Sequence, residues 1–160
     1  MEMMIGGGKT TTLKPAGDLY DLVIRSVKWL EKHFVKEYHG GYLTVMDDEG
    51  QIILYFRVRK PSSKDWKKLL DASHLHAARL FQNPRHVSSF QSKIRGSDKI
   101  ASAIRAGDLI LAFSGFDGLV NEAVVICLGY LLFWLDREKL EEIVAISQNP
   151  YVESLTDSLI

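Results

Sequence analysis

Cysteine is nearly absent from this chain: Cys127 is the only one in 160 residues. That excludes an internal disulfide and any cysteine-based metal site within one chain, and it predicts a reducing, cytoplasmic setting. Net charge is absent too, because twenty Lys and Arg offset twenty Asp and Glu. No overall field draws the protein to a nucleic-acid backbone or an anionic bilayer, so neither is an expected partner, and the missing repulsion favours self-association. The longest uncharged apolar run, residues 123–135, is shorter than the ~20 residues a spanning helix needs and predicts a buried core helix. Residues 1–16 lack the apolar stretch and small-residue cleavage site of a secretory signal and read as a disordered lead.

What is present is a hydrophobic content of 46%, enough for one sizeable core in a chain of single-domain length. Leu19, Leu22, Val23, Val27, Leu30 and Phe34 recur at helical spacing behind Asp18, and Gly40-Gly41 closes that helix. Residues 42–46 are β-branched and aromatic, and the polar turn at 47–50 leads into a second strand. Alternation there places Ile52, Leu54, Phe56 and Val58 on one face, with Ile53, Tyr55, Arg57 and Arg59 on the other. Pro61 breaks the strand, and Ser62 with Asp65 forms a capping box for a helix running to Phe81, before Asn83-Pro84. Residues 85–99 form a long polar connection with a short strand at 87–90. A hairpin of 100–105 and 109–114 follows, turning at Gly107. After the apolar helix, Asp136 caps a further helix that ends at Asn149-Pro150, and residues 151–160 are a C-terminal tail. The order predicts one α+β domain over residues 17–150, with a four- or five-stranded antiparallel sheet flanked by helices.

Motifs of catalysis are missing. Gly6, Gly7, Gly8, Lys9 and Thr10 resemble the end of a phosphate-binding loop, but Met3 holds the place of its first glycine and no strand precedes it. His74 and His76 lie about 200° apart on a helix and cannot chelate one metal. Ser114-Gly115 lacks the glycine before a nucleophilic serine, and Asp47, Asp48 and Glu49 lack the rest of a calcium loop. The basic run Arg57, Arg59, Lys60, Lys64, Lys67 and Lys68 has no stacking aromatics and is read as a solvated face. The aromatic residues Trp29, Tyr130, Phe133 and Trp134 are assigned to core or to a subunit interface.

Three segments carry a resemblance: Gly50-Gln51-Ile52-Ile53 after the acidic turn, Ser73-His74-Leu75-His76-Ala77-Ala78-Arg79, and the run from Ala103 through Arg105-Ala106-Gly107-Asp108 to Ser114-Gly115. With the order of elements, they resemble the GlcG/HbpS-like domain, a profilin-like fold also found at the carboxyl end of PduO-type proteins. The likeness spans residues 17–135 and leaves the helix after Asp136 as an extension. Members carry lysine where His76 stands, and a glycine pair where this chain has Ala101-Ser102. The resemblance implies a non-catalytic, self-associating module that holds a small planar or anionic ligand, heme or another tetrapyrrole among them. Ser73, His76, Arg79, His86 and Arg105 would line the site. An imidazole from His76 or His86 would serve as axial donor and arginine would pair the propionates. The competing reading is a structural or protein-interaction domain with no pocket ligand.

Overall fold

The computed structural model describes residues 2–5, 9–12, 16–33, 40–59, 65–92 and 102–160. Pro61, Ser62, Lys60, Lys64, His39, residues 93–101 and the glycines of the N-terminal motif lie outside them. The main sheet has four antiparallel strands in the order β4-β3-β6-β5. They are β3 (Gly41–Met46), β4 (Ile52–Val58), β5 (Ala103–Ala106) and β6 (Leu109–Ser114). Two hairpins thus lie side by side, joined where β3 pairs with β6. Near the N-terminus, where sequence predicts a disordered lead and no strand before the glycine motif, β1 (Glu2–Ile5) stands before it and pairs with β2 (Lys9–Thr12) in a separate ribbon.

Helix α2 (Trp66–Phe81) covers one face of the sheet, and α1 (Ala16–His33) and α3 (Gly118–Leu131) lie on the other. Leu43, Val45, Ile104, Leu111 and Phe113 belong to the larger core with α1 and α3. The alternate positions Met46, Ala103, Ile110 and Ala112 meet Ala77 and Leu80 of α2. Strands β3 and β6 are buried at every residue, because central strands covered on both faces need no polar alternation. The same enclosure explains α3, which is buried from Val120 to Gly129 and is apolar all round, as such a helix must be.

Three local expectations change. A bulge at Val45/Met46 sets Ile52 opposite Met46 while Leu54 stays opposite Val45. Ile52 is thereby parted from the face of Leu54 and Phe56 and left 39% exposed, and Ile53 packs against the larger core instead. The fifth strand shrinks to one bridge, Ser88 with Ile104. It is held by Ser89 N–H to the Ala103 carbonyl and Arg105 N–H to the Val87 carbonyl, each 2.9 Å. The apolar helix stops at Leu131 in a turn where Phe133 takes a positive φ of 62° and is 82% exposed. Trp29, Tyr130 and Trp134 are half-buried against the core, so Phe133 alone of the four leaves it.

At the carboxyl end Asp136 caps α4 (Arg137–Ser147), its Oδ1 accepting from the Lys139 N–H at 2.8 Å. Residues 151–160 are not a tail. Val152–Leu159 form α5, whose Val152, Leu155 and Leu159 enter the core against α1 and α3. No described helix is long and apolar enough to cross a membrane.

Candidate functional site

The turn of β3 into β4 is built around Asp47, whose buried Oδ1 accepts from the N–H groups of Glu49 and Gln51 at 2.9 and 2.8 Å. Gly50 there has φ +81°, and a Cβ on it would come within 2.6 Å of the Phe81 ring, so the glycine sets how closely the turn approaches the end of α2. Helix α2 presents Ser73, His76, Ala77 and Leu80 to the sheet. Thr44 donates to Ser73 Oγ at 2.8 Å, and Ser73 donates to the Leu70 carbonyl at 2.9 Å. Ser73 is therefore a tie between helix and sheet.

His76 is 5% exposed, and its Nδ1 is buried without a hydrogen-bond partner among the described residues. Burial, with the Arg79 charge as the lesser cause, lowers its pKa to about 4. His74 stands elsewhere on the helix, edge-on to Tyr55 at 5.3 Å, and burial lowers its pKa as well. Arg105 reaches past the end of α2: its Nη2 donates to the Leu80 carbonyl at 2.8 Å and its Nε to the His86 carbonyl at 3.1 Å. It adds a second donor to the Leu80 carbonyl, which also accepts from the Asn83 N–H at 3.0 Å, and so ties the helix end to the following loop. His86 Nδ1 is 2.8 Å from Ser92 Oγ.

Of the five sequence-predicted residues, Arg79 and His86 line one cavity. It is an open depression of about 420 Å³ on the outside of α2, with Leu75, Gln82 and Gln91 among its walls. Ser73 and His76 turn away into the sheet, and Arg105 works beneath on backbone carbonyls. The donor set does not fit heme: His76 is buried against the sheet, Arg105 is engaged on carbonyls, and His86 is left in an open depression with Arg79 as its one guanidinium.

The most unusual polar group was not among the expected five. Glu122 of α3 is fully buried, and its carboxylate accepts from Ser88 and Ser147 Oγ at 2.5 Å each and from Asn149 Nδ2 at 3.0 Å. Burial raises its pKa, opposed in part by the hydrogen bonds from Ser147, Ser88 and Asn149. Its signal in the sequence is isolation, as the only charge between Asp117 and Asp136. The three donors come from the 83–92 connection and the end of α4, so this carboxylate staples separate segments to the central helix.

The pKa of His76 makes a prediction. An imidazole titrating near 4 when folded and 6.5 when unfolded leaves the unfolded chain holding more protons between those values. Stability present above pH 6.5 is then lost as pH falls toward about 4, by roughly 3 kcal/mol. His76→Leu should remove that acid limb from urea-melt midpoints measured across the range; an unchanged limb would assign it to other groups.

No protein-family model matches the chain, and neither the curated proteins nor the solved structures yield a match. Nothing in these comparisons identifies a GlcG/HbpS-like family.

Proposed function

We propose that this domain is a non-catalytic protein-interaction module that self-associates through the outer face of α2. The observation that carries the reading is the pattern on that face. Leu75 is 56% exposed at its centre. Asp71 and Arg79 stand four residues before and after it, and Ala72 and Ala78 three residues before and after. Two copies packed antiparallel about a twofold axis at Leu75 bring Asp71 of each against Arg79 of the other. When the helices cross near about −50°, the ridges of residues four apart run side by side, and small residues in the flanking grooves permit close approach. Asp71 and Arg79 have no ion-pair partner among the described residues, so both charges are available to a second copy.

One helix face is a small interface, which implies a concentration-dependent dimer. Sedimentation velocity tests it. Asp71→Arg or Arg79→Asp alone sets like charges opposite each other twice and should weaken association at least about tenfold. The double variant Asp71→Arg/Arg79→Asp should restore it. A monomeric wild type, or single variants that associate as well as wild type, would refute the interface.

The ligand-binding reading keeps one observation, the depression that holds Arg79 and His86. Its size and its single guanidinium suit a small anion better than a tetrapyrrole. A Soret shift on adding heme to the purified protein would reverse that preference.

A further inference from the structure

The chain's zero net charge hides a segregation. Residues 136–160 carry six carboxylates and two cations, while the remainder carries fourteen carboxylates and eighteen cations. Both cations of the acidic segment are already paired: Arg137 with Glu141 at 3.1 Å and Lys139 with Glu142 at 2.9 Å.

Helices α4 and α5 enclose a groove of about 450 Å³ between them. Leu140 and Val152 are buried in its walls and Val144 is half-buried, while Ala145, Arg137, Glu141, Glu153 and Asp157 are exposed along it. Glu153 and Asp157 lie four apart on α5, a like-charge spacing that disfavours a helix. Asp157 also sits in the last turn, where the helix dipole favours a cation, yet neither α4 nor α5 has a basic residue in its last turn. Among the described residues no cation pairs with Glu153 or Asp157. The fold therefore leaves a groove of mixed polar and apolar lining, in which Glu141 is paired with Arg137 while Glu153 and Asp157 meet no cation among the described residues.

We infer that this groove docks a cationic amphipathic helix of another protein. Its apolar residues would lie over Val144 and Ala145, and its Lys or Arg residues would lie against Glu153 and Asp157. A helix laid into a hydrophobic groove is read by apolar anchors three and four residues apart, and opposite charge along the rim sets partner choice and encounter rate. This surface is separate from the outer face of α2, so the two can be tested independently.

The test uses fluorescence anisotropy with the full chain and a labelled 14-residue peptide of leucine and lysine at helical spacing, beside a matched leucine–glutamate peptide. The lysine peptide should bind and the glutamate peptide should not. Glu153→Lys/Asp157→Lys should weaken binding at least tenfold. Asp108→Lys/Glu138→Lys changes the net charge equally at exposed positions outside the groove and should change binding less than twofold. Val144→Gln should weaken binding without altering the circular dichroism spectrum. Equal loss from both charge variants would reduce the effect to net charge and overturn the assignment, as would binding that none of the variants alters or that the glutamate peptide matches.

Discussion

Deleting residues 151–160 will leave the chain without a cooperative native fold. The deletion removes Val152, Leu155 and Leu159 from the core they share with α1 and α3. At roughly 1.5–3 kcal/mol for each buried aliphatic side chain, the loss is comparable with the whole net stability of a typical domain, about 5–15 kcal/mol. Two ties go with them: the guanidinium of Arg25 donates to the Leu159 carbonyl at 3.4 Å, and Thr156 Oγ1 lies 3.4 Å from Cys127 Sγ. The single cysteine supplies a direct readout. Burial raises the Cys127 thiol to about 11, so in the full chain it should be inert to a thiol reagent, whereas the truncated chain should react at the rate of an open thiol. A truncated protein with a sharp thermal transition and a protected thiol would show that α5 is peripheral to the fold.

Glu122→Ala should be the most damaging single substitution of a polar residue. It leaves the Ser88 hydroxyl and an N–H of Asn149 buried without their acceptor; Ser147 keeps only its 3.2 Å bond to the Ile143 carbonyl. With each orphaned buried group costing ~1–3 kcal/mol, the expected loss is about 3–5 kcal/mol. Glu122→Gln should cost far less, near ~1 kcal/mol, because an amide oxygen keeps two of the acceptor bonds and its NH₂ can donate to Ser88 Oγ. The pH dependence separates the two effects. A carboxyl whose folded pKa lies above its ordinary value makes the native state the stronger proton binder, so its stabilising share is greatest below that value and declines as pH rises through the raised one. Glu122→Gln should flatten that decline in denaturant midpoints taken from acid to neutral pH. An unaltered decline would mean that Glu122 ionises in the fold as readily as in the open chain. The sign is opposite to that of His76, whose contribution is lost on acidification, so the two variants together should flatten both limbs.

The elements of the α+β fold were legible because their signals are local. The stripe from Leu19 to Leu30, the turn ending in Gly50, the hairpin around Gly107 and the cap at Asp136 each rest on bonds or φ angles within a few residues, and each stands close to its expected place. Side-chain destinations were less legible. The alternation of β4 was visible, but the bulge that turns Ile52 away from Leu54 depends on how the strand meets β3. Segment 151–160 has no strong local signal, since eight residues form no stable helix alone; α5 exists because α1 and α3 leave a face for it.

The candidate site shows the same division. The sequence identified His76, Arg79, His86 and Arg105 as chemically capable groups, and chemical capability is a property of the residue. Whether such a group faces solvent, a carbonyl or the sheet depends on the packing around α2, which engages Arg105 on backbone carbonyls and buries His76. Composition and periodicity by themselves determined an α+β fold with a buried apolar helix, since these follow from short-range geometry and the removal of apolar surface from water. Tertiary structure alone decided that Glu122 gathers Ser88, Ser147 and Asn149 from 25 to 34 residues away, that Asp71, Leu75 and Arg79 share an open face, and that α4 and α5 leave a carboxylate-rimmed groove. Hydrogen bonds and charges act over a few ångströms of space, and no local sequence window records which distant residues the folded chain brings within that distance.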